Sequence, residues 1–218
     1  MINIKSYIAI AFLPALMAWL VLSYQQKIKS PGMRMLVKPI LIIGAIIVSL
    51  GLFSGIAGGE AKYSPDGIVD YAMVMQQDHT RLGGSTYSLG TIDPSPMGML
   101  RMAPFAIIVT LFRPYLWEAS SPILLISALE GFFTLLTTLY VFFKTGVFKT
   151  IGTILNEPTV LFCMLFALVF SFAVGFSAYN FGALARYKIP VLPFYYVALV
   201  ILLDKAGVFQ KEDLATNG

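Results

Sequence analysis

Long apolar runs parted by short polar connectors set the pattern of this chain. Residues 7–24, 39–57, 122–143, 158–178 and 189–203 are apolar almost without a break. About 20 such residues make a helix that crosses the hydrocarbon core of a bilayer, and a spanning backbone has to be helical to satisfy its own polar groups. The pattern therefore predicts an all-α polytopic membrane protein with about five transmembrane helices. The first run follows a weak basic region, Lys5 alone, with no small-residue cleavage site after it, and reads as a retained helix in which Pro14 is tolerated. The last run is short and borrows length from the corner before it. A further apolar stretch, 104–112, is too short to span. Arg113-Pro114-Tyr115 interrupts it, and Trp117-Glu118 has the character of the headgroup level, so it reads as a re-entrant or interfacial helix.

The polar positions concentrate in residues 58–103, an external loop within what is otherwise a single transmembrane domain, 1–218. Ser64-Pro65-Asp66 is a helix start: a capping Ser, Pro in the first helical position, an acid in the first turn. Ile68, Val69, Ala72 and Met75 then follow at helical spacing, which predicts a short amphipathic helix over 65–78. Gly83-Gly84-Ser85 ends it, and the segment through Pro94-Ser95-Pro96 reads as loop from its turn residues.

Charge orients the pattern. Lys27, Lys29, Arg34 and Lys38 occupy the first connector with no acid among them, which places it in the cytoplasm. The chain then runs N-out and C-in, and Glu60, Asp66, Asp70, Asp78 and Asp93 fall on the outer face. Charged residues make up 12%, half the share of about 25% usual in soluble domains. The net charge of +4 lies at the ends of apolar runs, so it is a topology signal and implies no nucleic-acid partner. Cys163 is the single cysteine and His79 the single histidine, too few for a zinc site of the usual kind. No internal repeat suggests an inverted-repeat transporter.

Candidate chemistry lies at a few positions. Glu130 sits within a spanning run, where an unpaired carboxylate costs about 2.5 kcal/mol or more, so it either pairs, is protonated, or works. Arg113, Arg186 and Lys188 could form an anion site, Arg through its bidentate fork and Lys as a point charge; snorkelling to headgroups is the bland alternative. Asp66 and Asp70, four apart, share a helical face and could supply a base or hold a divalent metal; a solvated face is the alternative.

Arg186-Tyr187-Lys188-Ile189-Pro190-Val191-Leu192-Pro193 resembles the Arg-Tyr-x-x-Pro-x-x-Pro opening of a late helix in polytopic bacterial glycosyltransferases that use polyprenyl-phosphate sugars. Residues 111–118 with Ser127-Ala128-Leu129-Glu130 look like multispanning proteins of envelope polysaccharide assembly. The likeness covers mainly the second half of the chain. Those transferases carry a catalytic acid in an external loop after their first helix, in a chain about twice as long, so this one looks like a C-terminal half or a split subunit.

The resemblance implies a multi-pass component of the bacterial inner membrane that handles a polyprenyl-phosphate-linked sugar at the outer face. Arg186, Lys188, Arg113 and Tyr187 would bind the lipid phosphate. Glu130, Glu118, Asp66 or Asp70 would act as base or metal ligand, with a divalent metal the one cofactor to consider. The alternative is a non-catalytic membrane subunit that docks a partner protein, and a transporter is the weaker third reading, resting on Glu130 alone.

Overall fold

The computed structural model describes residues 6–27, 73, 74, 77, 85–90, 93 and 95–209. The basic connector beyond Lys27, the second apolar run, and both Asp66 and Asp70 lie outside the described residues. Of the helix expected over 65–78, Met73, Val74 and Gln77 are described, and all three are helical.

The described chain is all-α. Its helices are α1 (Ser6–Gln26), α2 (Pro96–Phe112), α3 (Pro122–Thr145), α4 (Val147–Asn156), α5 (Pro158–Ser177), α6 (Phe181–Tyr187) and α7 (Val191–Lys205), with a 3-10 turn at Leu116–Glu118. Proline opens α2, α3 and α5, in the position where a missing N–H costs nothing. Two helices, α3 and α5, are long and apolar enough to cross a membrane, and the broken pair α6 and α7 makes a third if it counts as one span. These apolar helices are those of a membrane protein.

Two differences from the sequence pattern stand out. First, α2 begins at Pro96, inside the segment read as loop. Its start is capped locally: Ser95 Oγ accepts from Gly98 N at 3.0 Å, and Asp93 Oδ1 accepts from Ser95 N at 2.9 Å. Ser95-Pro96 is thus a helix start, with Ser as the cap and Pro in the first helical position. Second, the connector between α3 and α5 is itself a helix, α4, set off from α3 by Gly146 at φ +77°.

The chain forms two compact units. One is made of Met1–Ile56, Thr137–Ala167 and Pro193–Gly218. Its described part is held by a cluster of rings from α1, α5 and α7: Phe12 meets Phe162 edge-on at 5.4 Å, and Phe166 lies 4.5 Å from Phe194. The Thr138 hydroxyl and the Tyr195 phenol share a hydrogen bond of 3.0 Å. Lys205 Nζ lies 3.2 Å from Glu157, so the end of α7 and the start of α5 are at one level and the two helices run antiparallel.

The other unit is made of Ala57–Leu136 and Leu168–Leu192, and it contains every described candidate site residue. Small residues let its helices approach. A Cβ on Gly175 of α5 would strike the Ala106 carbonyl of α2, and Thr110 Oγ1 donates across the same crossing to Ser171 O at 2.8 Å. On α3, a Cβ on Gly131 would lie 2.8 Å from the Phe112 carbonyl. The face of α3 buried in this unit reads Leu124, Ser127, Ala128, Gly131 and Thr134, small and polar for the most part. The bulky Ile123, Ile126 and Phe133 are exposed, the reverse of a soluble helix.

Candidate functional site

Lys188 is the most telling residue of this unit. It follows the short helix α6, whose buried residues are Phe181 and Leu184. Position 188 continues that stripe at helical spacing, so the lysine turns inward with its neighbours while Arg186 stays exposed. The Lys188 side chain is 1% exposed and its Nζ lies 2.9 Å from Glu130 Oε1. The Glu130 side chain is 37% exposed, on the flank of α3 between the buried small residues and the uncovered Ile126, Leu129 and Phe133. At 1.5 Å per residue, Glu130 lies about 12 Å along α3 from its start.

The contact is ionic, with angles unlike those of a hydrogen bond. Neither Lys188 Nζ nor Glu130 Oε1 has a hydrogen-bond partner among the described residues. Ser127 Oγ, one turn before Glu130 on α3, is likewise buried without a partner there. A lysine ammonium carries three donors, so a buried one that meets a single carboxylate at a poor angle keeps unused capacity for an anion.

Arg113 and Glu118 form a second pair. Glu118 Oε2 accepts from Arg113 Nε at 3.0 Å and from Tyr115 N at 2.8 Å, while Arg113 Nη2 donates to Glu118 Oε1. Both carboxylate oxygens are therefore occupied. Partial burial alone would raise the Glu118 carboxyl, but the guanidinium and the Tyr115 N–H outweigh it and hold the group below its ordinary value of 4.5. The guanidinium also packs against rings, 5.0 Å from the centroid of Phe181, 5.7 Å from that of Tyr115 and 5.8 Å from that of Tyr87.

Those rings belong to a corner that residue patterns alone did not reveal. The segment 85–90 lies against the chain between α5 and α6: Tyr87 N donates to Tyr179 O at 3.2 Å, and Phe181 N donates to Ser85 O at 2.9 Å. Tyr87 stacks on Tyr179 at 5.8 Å and reaches past it, its hydroxyl donating to Gly175 O at 2.9 Å. Burial pushes the Tyr87 phenol up, which keeps it a neutral donor. Tyr179 is fully buried and adopts φ +47°, just past the end of α5 where glycine is the usual residue. Asn180 caps α6, its Oδ1 accepting from Gly182 N at 2.8 Å and Ala183 N at 3.2 Å. The spacing of Ser171 and Gly175, small residues four apart in an apolar run, was a readable sign of the helix crossing. Nothing local marks Tyr87 as its cover.

The structure thus joins Glu130 to Lys188 and Arg113 to Glu118, pairing the two described candidate carboxylates with expected phosphate-binding cations. Lys188, expected at the membrane surface, is inside. Arg186 is exposed, its Nε donating back to Gly182 O at 3.1 Å, and Tyr187 beside it is partly exposed. Among the described residues no three His, Cys, Asp or Glu side chains are grouped to hold a metal ion. No family model, no curated protein and no solved structure matches this chain.

Proposed function

We propose that this protein is a multi-pass component of envelope polysaccharide or glycolipid assembly in the bacterial inner membrane, and that it holds a polyprenyl-phosphate-linked sugar at Lys188. The observation that carries the reading is the buried Lys188 ammonium, ion-paired to Glu130 yet without a hydrogen-bond partner among the described residues. A lipid-linked phosphate suits it in two ways. Its anionic head can take donors from Lys188 Nζ in place of Glu130. Its hydrocarbon tail can lie along the uncovered Ile126, Leu129 and Phe133 of α3. Arg186, exposed two residues before Lys188, adds a second cation at the entrance.

With the phosphate on Lys188, the Glu130 carboxylate is released beside it. An acceptor hydroxyl would attack the anomeric carbon and pass its proton to Glu130. The bond from that carbon to the phosphate oxygen would break, leaving its electron pair on the phosphate, where Lys188 would stabilise it. Arg113 and Glu118 would act from outside the reaction, holding the corner that carries α6.

Mass analysis of lipids and proteins retained after purification in mild detergent tests this. The expected result is a polyprenyl-phosphate glycolipid with the wild type, lost in Arg186→Ala and in Glu130→Leu combined with Lys188→Met. Absence of glycolipid from the wild type overturns the reading. A second reading, a non-catalytic subunit, is favoured by the engagement of both Glu118 oxygens and of Glu130 with cations. It expects a stoichiometric partner protein and no glycolipid.

A further inference from the structure

The helix α4 is turned inside out. At 3.6 residues per turn, Val147, Phe148, Ile151, Ile154 and Leu155 fall within an arc of about 120°, with Lys149, Thr150, Thr153 and Asn156 on the rest of the circumference. On a soluble protein the apolar arc would be covered. Here Val147, Phe148, Ile151 and Leu155 are all exposed, Phe148 to 92%. The buried residue is Thr150, on the polar side. Its hydroxyl donates to Gly146 O at 2.8 Å and pairs with Thr145, while Lys149 and Asn156 on the same side are exposed.

What covers the apolar face follows from where α4 sits in the chain. It joins α3 to α5, the two helices long and apolar enough to cross a membrane, through Gly146 at one end and Glu157 at the other. A helix between two spans lies at the membrane surface. Phe142 and Phe143, at the end of α3 just before it, are exposed as well. Lys144 and Lys149 are exposed along this stretch, and residues 144–156 contain no acid.

We propose that α4 is an interfacial helix that binds the surface of an anionic membrane. Its axis lies in the plane of the bilayer, its apolar arc enters the boundary between headgroups and acyl chains, and Lys144 and Lys149 hold anionic phospholipid headgroups. This proposal is independent of the sugar-lipid reading, since it uses neither Glu130 nor Lys188.

Site-directed spin labelling of the whole chain tests it. With Cys163→Ala as background, single cysteines at 148, 149, 151 and 155 would carry a nitroxide in vesicles of phosphatidylcholine and phosphatidylglycerol. Collision with oxygen reports burial in lipid, and collision with a water-soluble nickel chelate reports exposure to water. The expected result is a several-fold preference for oxygen at 148, 151 and 155 and the reverse at 149. Preference for the chelate at 148 overturns the proposal. So does shielding of 148 from both reagents, which would mean that a protein or a second copy covers the face. Depth at 148 is also expected to increase with the phosphatidylglycerol fraction, and Lys144→Gln with Lys149→Gln to abolish that response. A depth indifferent to lipid charge in the unsubstituted lysine background overturns the headgroup assignment.

Discussion

Lys188 and Glu130 share one ion pair but not one environment, and that asymmetry governs what their substitution does. Removing the partner of a buried charge strands it, at a cost of about 3–5 kcal/mol. Lys188 is sealed in, so Glu130→Leu leaves an ammonium with no counter-charge among the described residues and is expected to cost about 3 kcal/mol. Lys188→Met leaves a carboxylate with part of its surface open and is expected to cost about 1 kcal/mol. The double variant is expected to recover most of the loss, as replaced ion pairs often do. Denaturant unfolding of all three in mixed micelles measures the cycle; equal costs for the two single changes would contradict the burial described here. Glu118 carries a pH signature. Its pKa is lowered in the folded state, so the pairing with Arg113 contributes fully above the unfolded carboxylate value and is lost as pH falls through the lower folded value. Melting curves of wild type and Glu118→Gln are expected to diverge near neutral pH and converge in acid. A difference that persists at the lowest pH would show that the pair does not hold the corner electrostatically.

Glycine marks where elements touch and where they do not. Gly175 faces the Ala106 backbone, which cannot give way as a side-chain end can, so Gly175→Ala is expected to cost about 1–3 kcal/mol by overpacking. Gly152, on α4, has open space, and Gly152→Ala is expected to gain about 0.5–1 kcal/mol by stiffening the helix. The same unfolding measurement separates them by sign. Tyr87→Phe removes the donor to a carbonyl in the last turn of α5 and is expected to cost about 1 kcal/mol and to speed protease cleavage within 85–90. These contacts explain which parts of the fold were legible. The long runs of α3 and α5 announce themselves because lipid demands apolar surface at every exposed position. Glu130 was legible as a problem, and its partner was not: the stripe Phe181, Leu184, Lys188 puts the lysine inside only once α6 is known to be helical there. The α2 start was misread because Ser-Pro serves turns and helix caps alike. Tyr87 was invisible because a loop tyrosine meets its partners across 88 residues of chain.

At the scale of the molecule, the exposed bulky apolar side chains decide what solvent the protein is built for. Ile123, Ile126 and Phe133 in one unit, and Phe143 and Phe148 in the other, are each more than half exposed, and large apolar side chains are not left uncovered in such number in water. Extraction from membranes is therefore expected to need detergent and to resist alkaline carbonate. Sidedness is the sharper question. The pairing of Lys205 with Glu157 sets the C-terminal end of α7 beside the start of α5. Both ends lie in segments that the charge pattern assigns to the cytoplasm, and the same pattern assigns Arg186 to the outer face. Single-cysteine variants at 149, 186 and 205, made with Cys163→Ala and probed on intact cells by a membrane-impermeant maleimide, are expected to react at 186 alone. Reaction at 149 and 205 with protection at 186 would invert the topology and move the proposed lipid-phosphate site to the cytoplasmic leaflet. Lys188 would keep its chemistry there, but the sugar donor would have to be one presented on the inside.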